Sequence, residues 1–241
     1  MRSRLAGVGS PTGLLGTLET ERLTLRRRRA DEAAIYRQLW TERDPRVPPH
    51  RQIDPDGRPT VEDIAAEIRT EREQPGPGIL AVARKDTADV IGYCGLVFNG
   101  NGAPNEPELA YELLRAAHGC GYATEASLAV VTWVSEAGYA RLWATVRDWN
   151  VASRRVLEEL GFRETGAVAR DPIYGNNLAN RTRVLTQRPA GREERTPKRV
   201  SRPAHQGSLR NTGPGELVCR QKSPQVLSVL ISTIRLDAGS G

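Results

Sequence analysis

The sequence predicts an α+β, layered domain: a mixed central sheet of about six to seven strands flanked by helices. Three observations carry this. Short stretches with apolar residues at alternate positions interleave with longer ones in which apolar residues recur every three to four. Their order is strand, two helices, three strands, helix, strand, helix, strand and strand, which is not the regular alternation of a tandem parallel sheet. Clusters of Pro, Gly and Asp punctuate the stretches, and no internal repeat is present.

The first stretch, "LETERLTLRRRR", places Leu18, Leu23 and Leu25 among charged neighbours and reads as a strand over about 19–28. Asp31 is positioned to cap a helix over about 31–41. Residues 41–60, rich in Pro, Asp and Arg, form a loop. Thr60 then caps a helix in which Val61, Ile64, Ala65 and Ile68 share one face. "GILAVARK" and "DVIGYCGLVF" are two strands joined by a turn over 85–89, and "EPELAYELLR" (106–115) is another. A helix over about 122–137 ends at Gly138, a left-handed cap. In "ARLWATVRD", Leu142, Ala144 and Val146 lie on one face of a strand, Trp143 and Thr145 on the other. Asn150 caps a helix whose Val156, Leu157 and Leu160 point inward and whose end is Gly161. "FRETGAV" and "NRTRVLTQ" follow as strands.

The domain is therefore expected over 18–187, after a flexible 1–17 and before a basic, disordered tail over 188–241. That tail holds ten Lys/Arg against four Asp/Glu, which accounts for the whole net charge of +6. A folded basic groove is not implied, and nucleic acid or ribosome contact falls to the tail alone. Its apolar run "VLSVLISTI" (226–234) reads either as a strand that docks on the domain or as an exposed β-prone window. The run is too short to cross a bilayer as a helix, and "MRSRLAGVGSPTGLLG" is not a signal sequence, so a cytoplasmic protein without a membrane partner is expected. Cys94, Cys120 and Cys219 form no CxxC and have no histidine cluster beside them. Neither a metal site nor a disulfide framework is expected.

Chemistry concentrates in "AHGCGYATEA" (117–126). It lacks the closing Gly-Lys-Ser/Thr of a P-loop and offers only G-x-G-x-x-T where a dinucleotide fold wants G-x-G-x-x-G. Taken alone it is either a strand-to-helix turn or a cradle whose amides and helix dipole favour a diphosphate.

The longer segments "ELAYELLRAAHGCGYATEA" and "RLWATVRDWNVASRRVLEELGFRETG" resemble the GCN5-related N-acetyltransferases (GNAT), in the branch of the ribosomal-protein N-terminal acetyltransferases. His118, Gly119, Cys120, Gly121, Tyr122 and Ala123 match that family's Q/R-x-x-G-x-G/A signature except at its first position. His118 stands where the branch has an aromatic residue and Cys120 where it has a basic one. Asn150, Ser153, Gly161 and Phe162 complete the downstream N-x-x-S and Gly-Phe. The resemblance implies acetyl-CoA as acyl donor, with its pyrophosphate on the amides across 119–123 and its pantetheine along Leu113 and Leu114. It implies a pantetheine contact from Asn150, protonation of the leaving thiolate by Ser153, an oxyanion donor at the backbone near Leu114, and no metal. Glu108 becomes the general base and Glu112 its rival. Because a lysine amine near 10.4 needs a real base and an α-amine near 7.7–8.0 does not, a doubtful base favours an α-amine acceptor. The implied activity is acetyl transfer to a primary amine, of a peptide or protein N-terminus or of a small molecule, by direct attack. The alternative is a non-catalytic acyl-CoA-binding or regulatory module on the same fold, which the departures at Ala110, His118 and Cys120 keep open.

Overall fold

The computed structural model describes residues 15–73, 76–98, 106–170, 177–184 and 228–229. The strands are β1 (Leu18–Glu19), β2 (Leu23–Arg27), β3 (Ile79–Arg84), β4 (Val90–Val97), β5 (Glu108–Leu113), β6 (Arg141–Arg147), β7 (Arg163–Arg170), β8 (Asn177–Val184) and β9 (Ser228–Val229). The helices are α1 (Ala33–Glu42), α2 (Val61–Glu73), α3 (Tyr122–Glu136) and α4 (Val151–Glu159). One mixed sheet runs β1-β2-β3-β4-β5-β6-β8-β7, with β9 added on β5. The seven longer strands are those the periodicity predicts, and β1 and β9 are two-residue additions.

Strand alternation divides the core into two layers. Leu23, Leu25, Leu80, Val82, Leu109, Tyr111, Leu142, Ala144 and Val146 face α3 and α4, and Leu15 joins them at 1% exposure. Ile79, Ala81, Ala83, Tyr93 and Ala110 face α1 and α2. A bulge shifts the β3–β4 register between Val82 and Ala83, which turns Ile91 to the α3 side although Tyr93 faces the other.

The capping expectations divide. Thr60 and Asp63 form a reciprocal box, Asp63 N–H donating to Thr60 Oγ1 (3.1 Å) and Thr60 N–H to Asp63 (2.8 Å). Gly138 and Gly161 take the left-handed conformation at φ +83° and +77°. Asp31 caps nothing: it pairs with Arg29, and a 3₁₀ turn over Ala30–Glu32 opens α1. Glu32 does the reaching back instead, accepting from Arg29 N–H at 3.2 Å. Val61, first residue of α2, is left 46% exposed beyond the apolar face that Ile64, Ala65 and Ile68 form.

Candidate active site

β5 pairs with β4 along its whole length, and β6 pairs with β8 along its own. Between β5 and β6, which run parallel, pairing is confined to Glu108 opposite Trp143. Trp143 N–H donates to Pro107 O (2.9 Å), Thr145 N–H donates to the Glu108 carboxylate (3.0 Å), and beyond that point the strands part. The sheet is split there. Leu114 N–H donates to Ile91 O at 2.8 Å, which fixes the parity of the β4–β5 ladder and turns the N–H and C=O groups of Tyr111 and Leu113 toward the gap.

The two leucines thus separate. Leu113 presents its backbone to the split, and its carbonyl takes a hydrogen bond from His118 Nε2 at 2.8 Å, the ring nitrogen being the only group there able to donate. The Leu114 N–H belongs to β4, and its carbonyl accepts from Ala117 N–H. The oxyanion donor expected near Leu114 cannot be that amide, because the sheet has used it.

At the wide end of the split stands the glycine loop. Gly119 (φ +74°) and Gly121 (φ +79°) are both left-handed, and Gly121 is the N-cap of α3 with no side-chain cap. The amides of Gly119, Gly121, Tyr122 and Ala123 have no acceptor among the described residues. The loop is braced from outside by Arg22. Its Nη1 donates to Cys120 O (2.9 Å), its Nε to Glu125 (2.7 Å), and its guanidinium lies 4.6 Å from the centroid of the Tyr122 ring. Burial raises the Glu125 pKa, but hydrogen bonds from Thr20 and Arg22 outweigh it and keep the carboxylate charged. Cys120, expected as a loop thiol, is instead disulfide-bonded. Cys94 is free, and burial pushes its thiol up to about 12, which makes it inert.

The first turn of α4 lies over the middle of β5, where the Tyr111 hydroxyl donates to Ser153 O at 3.3 Å. Asn150 is the N-cap, its side chain accepting from Ser153 N–H at 3.2 Å. Ser153 is fully buried, and its hydroxyl finds no hydrogen-bond partner among the described residues. Asn150→Ala should cost about 1 kcal/mol of stability, read as a lower denaturant midpoint, with Asn150→Asp close to wild type.

The two carboxylates of β5 have different fates. Glu108 is 1% exposed and anchored on the Thr145 amide at the point where the strands part. Glu112 is bound by Arg43 through two hydrogen bonds (2.8 and 2.7 Å) and accepts from the Tyr93 hydroxyl (3.0 Å). Burial pushes its pKa up, yet Arg43 and then Arg51 overcome this and hold it below the ordinary carboxylate range. Glu112, the expected rival base, is held as a buried anion by Arg43 and Tyr93. His50 is exposed on the 41–60 segment. Nothing in residue spacing announces Arg22, Arg43, Arg51 or Tyr111 as site residues. Each arrives by a long-range contact.

The site is thus a mixed sheet split between two parallel strands, with an uncapped glycine loop at the wide end of the split. Residues 22–163 match the family described as "Acetyltransferase (GNAT) domain", and the chain belongs to that family. Membership implies transfer of an acetyl group from acetyl-CoA. "Uncharacterized N-acetyltransferase p20" of Bacillus licheniformis is 30% identical over 161 residues, 62% of this chain and 84% of the relative. Among solved structures, a putative GNAT-family acetyltransferase from Bordetella pertussis shares the fold with TM-score 0.55 and 23% identity, over 70% of this chain and 99% of that one. A ribosomal L7/L12 alpha-N-protein acetyltransferase in complex with coenzyme A does so with TM-score 0.55 and 16% identity, over 70% and 98%. No helix among the described residues is long and apolar enough to cross a membrane.

Proposed function

We propose that the protein transfers an acetyl group from acetyl-CoA to a primary amine by direct attack in a ternary complex. The observation that carries this is the set of four amides at the uncapped, doubly left-handed glycine loop, placed at the wide end of the β5–β6 split. Such amides at a helix N-terminus suit the pyrophosphate of coenzyme A. The pantetheine arm runs down the split, pairing with the backbone of Tyr111 and Leu113. Leu113 offers its N–H to that arm, since His118 holds its carbonyl, and the oxyanion donor is a gap-facing backbone N–H farther down β5 in place of the committed Leu114 amide.

Ser153, a buried hydroxyl in need of a partner, protonates the leaving thiolate. A thiol pKa near 8.5 makes that help modest. Glu108 accepts the amine proton, directly or through water. A carboxylate is a weak base for this task, and Glu112 is committed to Arg43. The site therefore favours an amine already partly neutral at pH 7: an α-amine of a peptide or protein N-terminus, or a small amine of similar basicity. The alpha-N activity in the name of the coenzyme-A-bound structural neighbour agrees with this reading.

The test is release of free coenzyme A thiol over a panel of peptide N-termini, lysine side chains, polyamines and amino acids. Faster release with α-amines than with lysine side chains at pH 7 is expected. Acetyl-CoA binding in calorimetry with a flat response to every amine would instead make the protein a non-catalytic acyl-CoA-binding module.

A further inference from the structure

The gap between β5 and β6 is not empty along its length. Val229 pairs antiparallel with Tyr111, and Ser228 with Glu112, so that β9 extends the sheet from the free edge of β5. β9 also lies alongside β6. The chain thus inserts a strand from its own C-terminal region into the split, against the backbone groups that Tyr111 turns into it. The segment suits the role: "VLSVLISTI" is the apolar, β-branched run of a region otherwise dominated by Arg, Pro, Ser and Gly.

From this geometry we infer that the β5 edge within the split is a strand-addition site whose occupant is the chain's own 228–229 segment, and that this occupant and acetyl-CoA exclude each other. The inference rests on the donor site proposed above. The exclusion follows from the hydrogen-bond inventory. Each peptide unit of β5 turns toward the gap once, and the Tyr111 N–H and C=O cannot serve a protein strand and a pantetheine arm together. The affinity observed for coenzyme A is then the intrinsic affinity divided among open and closed molecules. A chain closed in nine molecules of ten binds about tenfold more weakly than one held open. A partner that captures the tail would raise donor affinity by the same factor, so the segment works as an intramolecular brake.

The experiment compares full-length wild type with Val229→Pro, which removes the amide facing Tyr111, and with Val229→Thr, which keeps both backbone groups and strand propensity. Coenzyme A is titrated calorimetrically, and amide exchange at Tyr111 is followed without ligand. Dithiothreitol is present throughout, so the disulfide at Cys120 does not enter the comparison. Val229→Pro should bind coenzyme A about tenfold more tightly and lose exchange protection at Tyr111, with Val229→Thr matching wild type. Equal affinity and equal protection in Val229→Pro and wild type overturn the proposal. Lost protection with unchanged affinity overturns the exclusion, since the strand then docks without competing. Binding by none of the chains overturns the donor site itself, and the exclusion with it, whatever the exchange data show.

Discussion

Glu112→Ala should destabilise the protein by about 3–5 kcal/mol, the range for removing one member of a buried ion pair. The Arg43 and Glu112 side chains are 5% and 3% exposed, and the carboxylate answers both Arg43 nitrogens and the Tyr93 hydroxyl. The carboxylate holds Arg43, and the buried Arg51 lies close enough to feel the same charge, so its loss leaves the Arg43 guanidinium uncompensated in low dielectric beside a second cation. Glu112→Gln keeps the shape and drops the charge, and should fall between alanine and wild type. A denaturant titration reads both as lower midpoints with unchanged slope.

The pH dependence has a definite sign. The folded-state pKa of Glu112 is lowered, so its contribution is complete above the unfolded value near 4.3 and fades as pH falls through the lower folded value. Wild type should lose stability steeply in that acid window, and Glu112→Gln should lose less. Equal midpoints for Glu112→Ala and wild type at pH 7 would mean that desolvation cancels the pair. A fall in kcat with stability intact would return Glu112 to the role of base.

Much of the fold is legible in the sequence because period 2 and period 3.6 are local signals. Leu142, Ala144 and Val146 share one face as alternation requires, and Val156, Leu157 and Leu160 bury as helical spacing requires. Asp31 fails as a cap because Glu32, one residue on, reaches the same turn with a longer side chain. The split between β5 and β6 is illegible for a different reason: it consists of pairing that is not made, and no residue encodes an absence. The pair of Arg43 with Glu112 spans 69 residues and uses types abundant in this chain. The loop charge illustrates the same limit. Cys120 reads as a missing cation, yet Arg22, 98 residues upstream, brings its guanidinium to the carbonyl of that very residue. Sequence shows the vacancy at 120, and only the folded chain shows what stands beside it.

Gly121→Glu should weaken coenzyme A binding by at least about 100-fold, roughly 2.7 kcal/mol. Two effects add. Gly121 sits at φ +79°, where a residue with a side chain costs about 1–2 kcal/mol, and relaxing that strain re-aims the four amides of the loop and the first turn of α3. A carboxylate at the same point then repels the pyrophosphate those amides would receive. A Cβ there meets Arg22 Nη2 at 3.4 Å, so the new side chain also competes with Glu125 for the brace that holds the loop. Two controls separate the terms. Gly121→Ala carries the backbone strain without the charge and should lose clearly less affinity. Gly138→Glu carries the same strain at φ +83° in open space, at the far end of α3, and should lower the melting temperature while leaving coenzyme A affinity unchanged. The order of affinity loss, Gly121→Glu beyond Gly121→Ala beyond Gly138→Glu, belongs to an anion seated on the loop. If the first two variants bind alike, the loop is a turn and the anion lies elsewhere.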